Sequence, residues 1–356
     1  MSKKEKEVTE NVESTPQSQA EMEAKFAPEE VAAEKKTKIK IKTKTTFSLE
    51  DYKKDKQGDS VEFKPQTWIR MSKAFQSVSG LPGIPENSIS VCHGRSNSGK
   101  STMALELAKH AQDQGVLPVF IITEKKWDWK RCEDMGISKE FCLINTNVDF
   151  IEEGCDYIEE ILKDQIEGKL PHDVVFIFDS IGSTPSKKEF ENAEDGGGGL
   201  AMMQAAKVLR ERISRRIFHK INNTRKTTHV YNASLFVVNQ SYVSPPSFPG
   251  GVPSITPYGG EGLTYAASVI IRMGGVMSSA SKVKATKDGV QLAFAIKSAM
   301  VVEKNHVTNV SPDGKIICTG TGFIEDTKQS IEEYKKNNKS DWNLEYDKDW
   351  NSVSKD

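Results

Sequence analysis

The feature that most constrains the fold of this chain is an eight-residue segment, residues 94–101, with the sequence Gly-Arg-Ser-Asn-Ser-Gly-Lys-Ser. It matches the pattern G-x-x-x-x-G-K-[ST] at every defined position. The two glycines let the backbone curl so that successive N–H groups point at phosphate oxygens. The lysine reaches the β- and γ-phosphates, and the final hydroxyl ligates Mg²⁺. The segment is therefore typical of a phosphate loop.

The flanking sequence supports this interpretation. Residues 88–93 form an apolar run that predicts a strand, and residues 101–111 predict an amphipathic helix whose N-terminal dipole favours anions. A glycine- and serine-rich surface turn is the alternative, but it would not be framed by a strand and a helix. We predict that the chain binds a nucleoside triphosphate. The predicted nucleotide-binding residues are Gly94, Arg95, Ser96, Asn97, Ser98, Gly99, Lys100, Ser101 and Thr102.

Further apolar runs predict the remaining strands of a sheet. They lie at residues 119–123, 173–179, 234–240 and 267–273, and helices are predicted at residues 129–135, 150–167 and 200–222. Nearly continuous apolar strands that alternate with helices are typical of a parallel sheet covered on both faces. The predicted fold class is α/β: a phosphate-loop NTPase core with a mostly parallel central sheet flanked by helices. Its ligand site is expected at the carboxyl ends of the strands.

Three polar residues stand at these predicted strand ends. Asp179 follows a run of apolar residues, which is the pattern of an aspartate that orients Mg²⁺; a capping aspartate is the alternative. Glu124 ends the preceding strand and is a candidate general base. Gln240 ends a later strand, where an amide is placed to sense the γ-phosphate. Lone Glu and Gln residues at strand ends are more often structural, so their shared position beside the phosphate loop favours the catalytic interpretation.

Two glycine- or proline-rich segments follow these strands. Residues 241–260 contain five prolines and four glycines, which excludes a helix or a central strand, and a loop of this length is normally functional. Residues 195–199 read Asp-Gly-Gly-Gly-Gly, and residues 207–226 carry eight Lys and Arg against one Glu. Two loops beside a basic helix suit a nucleic-acid backbone, although a solvated helix face is the alternative. The candidate DNA-contacting residues are Gly196, Gly197, Gly198, Gly199, Arg210, Arg215, Arg216, Tyr242, Phe248 and Tyr258.

The two ends of the chain differ from the core in composition. Residues 1–34 carry nine Glu against four Lys, and we expect them to be disordered. Residues 35–44 contain six lysines, which fit a strand with one basic face, a flexible arm that touches nucleic acid, or a solvated linker. We predict a disordered charged tail over 1–46, a subunit-docking lead-in over 47–70 with Phe47 as its anchor, and a core over 71–323. Residues 324–356 are predicted to be a loosely ordered, mildly acidic tail.

The remaining composition excludes several classes of site. The five cysteines are scattered and include no C-x-x-C pair, which argues against a disulfide framework or a zinc site. No apolar run approaches membrane-spanning length, and the N-terminus has no signal-peptide pattern. We expect a cytoplasmic protein without a membrane partner.

The order of these motifs resembles that of the RecA-type DNA strand-exchange recombinases. From the phosphate loop it runs through Glu124, Asp179, a glycine-rich loop and a basic helix to a strand that ends in Asn-Gln. The long loop follows, and then residues 259–268 read Gly-Gly-x-x-Leu-x-x-x-Ala-Ser. The resemblance covers about residues 65–310 and is strongest to phage-type or bacterial members, which implies the cytoplasm, or the host cytoplasm for a phage protein.

The resemblance implies catalytic roles for Lys100, Glu124, Gln240, Lys304 and His306, and it implies that Ser101 and Asp179 bind the metal. Lys100 corresponds to the phosphate-binding lysine, Ser101 and Asp179 to the Mg²⁺ ligands, Glu124 to the catalytic glutamate, and Gln240 to the γ-phosphate sensor. Segments 195–199 and 241–260 correspond to the two DNA-binding loops of the family.

It also implies contacts to the base and between subunits. Asp128 corresponds to an adenine-contacting aspartate. Arg131 stands where bacterial members stack a tyrosine on the base, and a guanidinium plane is able to stack instead. Lys304 and His306 match the segment through which a neighbouring subunit reaches the γ-phosphate, although His306 replaces the second lysine of bacterial members.

The function implied is that of an ATP-dependent DNA recombinase that forms a helical filament on single-stranded DNA and promotes homologous pairing and strand exchange. Its cofactors are ATP and Mg²⁺. Its partners are single- and double-stranded DNA, further copies of itself, and mediator and single-strand-binding proteins. Two other classes share the phosphate loop: a hexameric helicase or motor of the same fold, and a regulatory ATP-binding scaffold. A helicase normally carries an additional N-terminal domain, and the intact Lys100, Glu124 and Asp179 argue against a scaffold.

Overall fold

The computed structural model describes residues 48–57, 62–125, 127–194, 206–244, 250–251, 254–274, 281–287, 289–342, 345–346 and 352–353. The predicted tail 1–46, Phe47, Gly196–Gly199 and Phe248 lie outside the described residues. The chain divides into two units, Met1–Ser60 and Val61–Asp356. The described part of the first unit is one helix, α1 (Leu49–Gln57), with acidic residues in its first turn and lysines in its last.

The second unit begins with a short antiparallel ribbon. Strand β1 (Trp68–Arg70) pairs with β2 (Gly83–Pro85), and helix α2 (Lys73–Ser79) lies between them. The Ser72 hydroxyl caps α2 by accepting a hydrogen bond from the backbone N–H of Phe75 at 3.3 Å.

Eleven strands of the described residues form the main sheet, and six of them are parallel. The parallel strands are β3 (Ile89–Gly94), β4 (Leu117–Ile122), β5 (Leu143–Asn145), β6 (Val174–Asp179), β7 (Ala233–Ser244) and β9 (Val269–Met273). Their spatial order is β9-β3-β7-β6-β4-β5. The predicted parallel sheet is confirmed, and β5 is an addition that its short, half-exposed sequence did not predict.

Helices cover both faces of this sheet. They are α3 (Lys100–Asp113), α4 (Trp129–Asp134), α5 (Ile151–Ile166), α6 (Lys187–Glu194), a π-helical segment (Leu209–Ile217) that continues into α7 (Phe218–Asn223), and α8 (Glu261–Ala266). Apolar side chains of α3 pack on one face, and those of α5 and the π segment pack on the other. The helix predicted over 200–222 is confirmed from residue 206 onward, but much of it is π-helical, and residues 200–205 are outside the described part.

The segment after Gln240 differs from the loop that its prolines predicted. Strand β7 continues to Ser244 and pairs in antiparallel register with β8 (Ser254–Pro257). Strand β8 pairs with no described strand other than β7, so Pro257 lies at an edge, where a missing N–H is tolerated. Residues 241–244 and 254–257 of the predicted loop are therefore strand.

An antiparallel half of the sheet adjoins β9 and was not predicted. Its strands are β10 (Lys282–Lys287), β11 (Val290–Asn305), β12 (Asp313–Thr319) and β13 (Gly322–Glu325). Helix α9 (Lys328–Asn337) follows, and its buried Tyr334 stacks on Phe294 of β11 with ring centroids 5.8 Å apart. This part of segment 324–356 is thus helical and packed rather than loosely ordered. Two short strands, β14 (Glu345–Tyr346) and β15 (Ser352–Val353), pair with each other.

One buried carboxylate joins α2, near the beginning of the core, to β13, near its end. Glu106 of α3 is 3 % exposed and accepts hydrogen bonds from the Ser72 hydroxyl at 2.5 Å and the Phe323 backbone N–H at 2.6 Å. Burial raises the pKa of Glu106, and both hydrogen bonds oppose that rise. Within the described part of the chain, no helix is long and apolar enough to cross a membrane.

Candidate nucleotide site and basic cleft

The phosphate loop connects the carboxyl end of β3 to the first turn of α3. Gly99 precedes α3 with a left-handed backbone (φ 95°), and a Cβ atom there would lie 2.4 Å from the sulfur of Cys318. Both the conformation and the close approach require glycine. The first N–H groups of α3 have no partner within the helix, so they are available to an anion in front of the loop.

Lys100, Ser101 and Asp179 meet behind this loop. The Lys100 ammonium donates a hydrogen bond to the backbone carbonyl of Arg95 at 2.8 Å, and burial lowers the pKa of Lys100. Burial raises the pKa of Asp179 to about 6, and the nearby carboxylate of Glu124 adds to the rise. A hydrogen bond with Ser101 and the charge of Lys100 oppose it. The predicted phosphate and metal residues are thus together.

The Ser101 hydroxyl and the Asp179 carboxylate fit a magnesium ion. Both offer oxygen, the ligand that a hard cation prefers, and they are in hydrogen-bond contact. In the described residues, no group of three or more His, Cys, Asp and Glu side chains could hold a metal. Two protein ligands suit Mg²⁺, which usually keeps several waters and binds substrate phosphates.

The sequence predicted that Glu124 and Gln240 end strands. Glu124 lies two residues after β4, whereas Gln240 lies within β7, at the last position that pairs with β3. The hydroxyl of the buried Ser180 donates a hydrogen bond to the Glu124 carboxylate at 3.1 Å and so orients it. Gln240 pairs in register with Gly94 of the phosphate loop. Its backbone carbonyl accepts a hydrogen bond from the N–H of Tyr258 at 3.0 Å, across the β7–β8 ribbon.

Two cavities adjoin these groups. One of about 480 Å³ lies between residues 97–102 and the antiparallel half of the sheet, and Arg131 and Lys282 border it. The other, of about 310 Å³, is lined by Glu124, Asp179, Arg131 and Asp128. Arg131 borders both cavities. Lys282 lies on β10, which sequence patterns did not predict, so this candidate nucleotide contact was missed.

The two predicted base-contacting residues also have structural partners. The Arg131 guanidinium donates a hydrogen bond to the Thr102 hydroxyl at 3.1 Å. The Asp128 carboxylate caps α4 by accepting from the backbone N–H of Lys130 at 2.9 Å. Arg131 is therefore tied to the first turn of α3, whereas Asp128 is committed in part to its own helix.

Lys304 and His306 do not reach the phosphate-loop cavity of their own chain. The Lys304 ammonium donates hydrogen bonds to the backbone carbonyls of Thr264 at 2.8 Å and Tyr265 at 3.1 Å, at the carboxyl end of α8. His306 is exposed just after β11 and borders a separate cavity of about 620 Å³ that Phe63 also lines.

A basic cleft of about 730 Å³ lies between the π segment and α8. It is lined by Ala206, Lys207, Arg210, Glu211, Arg215, Gly259, Gly260, Glu261, Gly262 and Tyr265. Two of the predicted DNA-contacting residues, Arg210 and Arg215, are therefore neighbours here. The glycines at 259 and 260 belong to this cleft, a role that the glycine pattern of the resemblance had not assigned.

Three other cations of the basic stretch face α5 instead. Glu159 of α5 pairs with Arg216 at 2.7 Å and Lys220 at 2.9 Å, and Asp156 pairs with Arg212. Arg216 is therefore paired with Glu159 of α5 and does not line the cleft that Arg210 lines. The basic stretch is split between a cleft and a set of ion pairs.

The predicted stacking residues also differ from one another. Tyr242 is 41 % exposed on the β7–β8 ribbon. Tyr258 packs against the core, and its hydroxyl donates a hydrogen bond to Glu189 at 3.2 Å. Burial, together with Glu189, raises the pKa of Tyr258 to about 12. Tyr242 is the better placed of the two to stack on a base.

Comparison with known proteins agrees with this architecture. Residues 52–309 match the family model of the RecA N-terminal domain. The chain is 28 % identical over 196 residues to Protein RecA of Sulfurovum sp., which covers 54 % of this chain and 53 % of that protein. It is 26 % identical over 216 residues to Protein RecA of Campylobacter lari, which covers 60 % and 56 %. Protein RecA of Bacillus subtilis is 25 % identical over 267 residues, which covers 75 % and 72 %. The chain thus spans about half the length of the first two of these relatives.

Proposed function

This chain belongs to the RecA family, and we propose on that premise that it is a DNA-dependent ATPase of recombination and repair. In this proposal it assembles as a helical filament on single-stranded DNA and promotes homologous pairing and strand exchange. The observation that carries the proposal is the continuity of β7. It runs from Gln240, beside the phosphate loop, into the ribbon that leads to Gly259 in the basic cleft.

The ATPase part of the proposal assigns one task to each group at the sheet edge. The N–H groups of residues 94–101 and the Lys100 ammonium hold the phosphates. Ser101 and Asp179 hold Mg²⁺, which when bound would offset phosphate charge. Glu124, oriented by Ser180, polarises the attacking water.

The DNA part assigns the cleft to the phosphate backbone of a single strand. Arg210 and Arg215 supply positive charge, and the glycines at 259 and 260 let a backbone approach closely. Tyr242 is exposed for stacking. Binding of this kind tolerates many sequences and weakens steeply with salt.

The assembly part assigns Lys304 and His306 to a neighbouring subunit. In their own chain they lie away from the phosphate-loop cavity, so the nearest phosphate for them is the neighbour's. A head-to-tail contact of this type runs on as an open helix unless its rotation closes a ring. The predicted lead-in 47–70 is the segment proposed to dock on the adjacent subunit.

The ATPase assignment is tested with two substitutions. Lys100→Ala should abolish ATP binding, whereas Glu124→Gln should retain bound ATP and stall hydrolysis, since only the water-polarising group is lost. Lys109→Ala, on the surface of the same helix, and Glu140→Gln, an exposed glutamate, are the matched controls. Normal hydrolysis by the Glu124→Gln protein with single-stranded DNA would show that another residue is the base.

The assembly assignment is tested by diluting the protein in excess DNA. ATP hydrolysis per subunit should fall on dilution, because each site is completed by its neighbour. A rate that is independent of concentration would contradict the shared site. Negative-stain images with a slowly hydrolysed ATP analogue then distinguish the classes: open filaments support a recombinase, closed rings a motor, and isolated particles a scaffold.

A further inference from the structure

A row of hydrogen bonds crosses the sheet directly behind the phosphate loop. It is centred on His93, which is the last residue but one of β3 and is fully buried. Its Nδ1 lies 2.7 Å from the hydroxyl of Ser241, and its Nε2 lies 2.7 Å from a carboxylate oxygen of Glu303. The other oxygen of Glu303 accepts from Nε of Arg272 at 2.5 Å. The row therefore reads Ser241, His93, Glu303, Arg272.

Three members of the row adjoin a residue of the proposed machinery. His93 precedes Gly94 of the phosphate loop, and Ser241 follows Gln240. Glu303 precedes Lys304. The imidazole ring therefore ties together the three segments that carry these groups.

Backbone pairing alone would not make this connection. Strand β9 separates β3 from β11 in the sheet, so the contact between His93 and Glu303 passes over it. Glu303 is the extra residue of a β-bulge, because Val302 and Lys304 pair with consecutive residues of β9. A bulge re-aims a side chain, and here it directs Glu303 to His93. Arg272 of β9, in register with His93, completes the row.

The ionisation of Glu303 indicates which atom donates and which accepts in each hydrogen bond of the row. Burial works to raise the pKa of Glu303, but hydrogen bonds from His93 and Arg272 outweigh it and hold that pKa below its ordinary value. An ionised carboxylate only accepts, so Nε2 of His93 carries a proton and donates it. In the neutral ring Nδ1 then accepts from the Ser241 hydroxyl. With this tautomer each donor of the row has one acceptor, which fixes the orientation of the ring and the rotamer of Ser241.

Serine, histidine and carboxylate in a row are also the side chains of a hydrolytic triad. A nucleophile of that kind must be reached by its substrate and its base. Here the ring is fully buried, and the carboxylate is shared with Arg272. The row is suited to holding segments in place.

We propose that His93 is a positioning residue that couples DNA occupancy of the β7–β8 ribbon to ATP turnover. A strand of DNA that shifts the ribbon moves Ser241, and the ring passes that displacement to the phosphate loop and, through Glu303, to Lys304. The inference rests on the proposed function, because it requires that DNA stimulate hydrolysis.

The test compares ATP hydrolysis with and without saturating single-stranded DNA in four variants of the full chain. His93→Phe keeps a ring and removes both nitrogens, and Ser241→Ala removes only the partner of Nδ1. Glu303→Gln keeps an oxygen acceptor but removes the charge that Arg272 pairs with. Ser90→Ala is the matched control, because it lies on the same strand and its buried hydroxyl has no hydrogen-bond partner among the described residues.

We expect the ratio of DNA-stimulated to DNA-free hydrolysis to fall by about tenfold in His93→Phe, which loses a charge-assisted hydrogen bond, and by about fivefold in Ser241→Ala, which loses one ordinary hydrogen bond. KM for ATP and the DNA-free rate should stay at the wild-type value, which separates coupling from damage to the nucleotide site. Glu303→Gln should have an intermediate effect, and Ser90→Ala should have none. Melting temperatures establish whether each variant folds. If His93→Phe does not fold, the result for Ser241→Ala decides the question alone.

The outcomes separate this inference from the proposed function. If the wild-type protein hydrolyses ATP at the same rate with and without DNA, both are overturned. If the wild type is stimulated and Ser241→Ala is stimulated equally, the coupling role of His93 is overturned and the proposed function stands. A parallel loss of ATP affinity in the variants would likewise overturn coupling, because it would show that the row only supports the nucleotide site.

Discussion

Replacing Asp179 by asparagine should stabilise the nucleotide-free protein while it abolishes Mg²⁺-dependent ATP binding. Asp179 is held in a site where burial and Glu124 disfavour its ionised form, and its pKa is raised from 3.8 to about 6. Asparagine has the same shape and does not ionise. The substitution therefore removes the free-energy cost of burying an ionised carboxylate, a group that the wild-type protein uses to bind a cation.

The size of the effect follows from the two pKa values. At about 1.4 kcal/mol per pKa unit, the gap between 3.8 and about 6 corresponds to about 3 kcal/mol. Between these two values the folded chain holds a proton that the unfolded chain has lost, so this residue makes stability fall as pH rises. The full penalty applies above the folded pKa. The advantage of asparagine should be about 3 kcal/mol at about pH 8 and roughly half of that at about pH 5. Because the Asp179 carboxylate keeps some contact with solvent, these two free-energy differences are upper limits.

Thermal melts of the wild type and of Asp179→Asn, without nucleotide, measure this difference. At about pH 8 the variant should melt about 5 °C higher for a core of this size, and the gap should narrow in acid. Added Mg²⁺ and ATP should raise the melting temperature of the wild type only. Asp313→Asn, at an exposed aspartate that begins β12, is the control and should change neither. An advantage of equal size at both pH values would refute the linkage, and no advantage at the higher pH would refute the burial penalty itself.

Three further substitutions test the remaining parts of the site. Gly99→Ala should abolish binding of a fluorescent ATP analogue, because its left-handed backbone disfavours a side chain and the new methyl group would meet Cys318; normal binding would contradict this view of the loop. Arg210→Ala should weaken anisotropy-measured binding to single-stranded DNA and reduce its salt dependence by about one counterion. Arg216→Ala should leave both unchanged, and equal losses in the two variants would show that the cleft is not the DNA site. Lys282→Ala should weaken ATP binding in the analogue assay and spare DNA binding; an unchanged affinity would remove β10 from the nucleotide site.

The parallel half of the sheet was predictable from local sequence, and the antiparallel half was not. Strand β6 reads Val-Val-Phe-Ile-Phe-Asp and is buried on both faces, so its apolar run is visible without any partner. Strand β10 reads Lys-Val-Lys-Ala-Thr-Lys, with only Ala285 buried. The residue pattern of β10 cannot be distinguished from that of a solvent-exposed loop, because its strand conformation depends on pairing with β11.

The same distinction applies to the candidate site. The spacing of residues 94–101 specifies a phosphate loop by itself, and an acid directly after a run of apolar residues marks a strand end. By contrast, Arg210 and Arg216 look equivalent in sequence, and only the packing of α5 against the π segment separates them. The His93 row depends on a bulge in a distant strand, and no local pattern indicates it.

Glu106 has a consequence for the order in which the elements are connected. Its carboxylate accepts from Ser72 near the beginning of the core and from Phe323 near its end, residues that are remote in sequence. Because residues near both ends of the core meet at one buried group, the fold of the core should not depend on where along the sequence its chain begins and ends. A circular permutant that links β13 to β1 and opens between β5 and α5 is therefore expected to fold, provided that Glu106 keeps both of its donors.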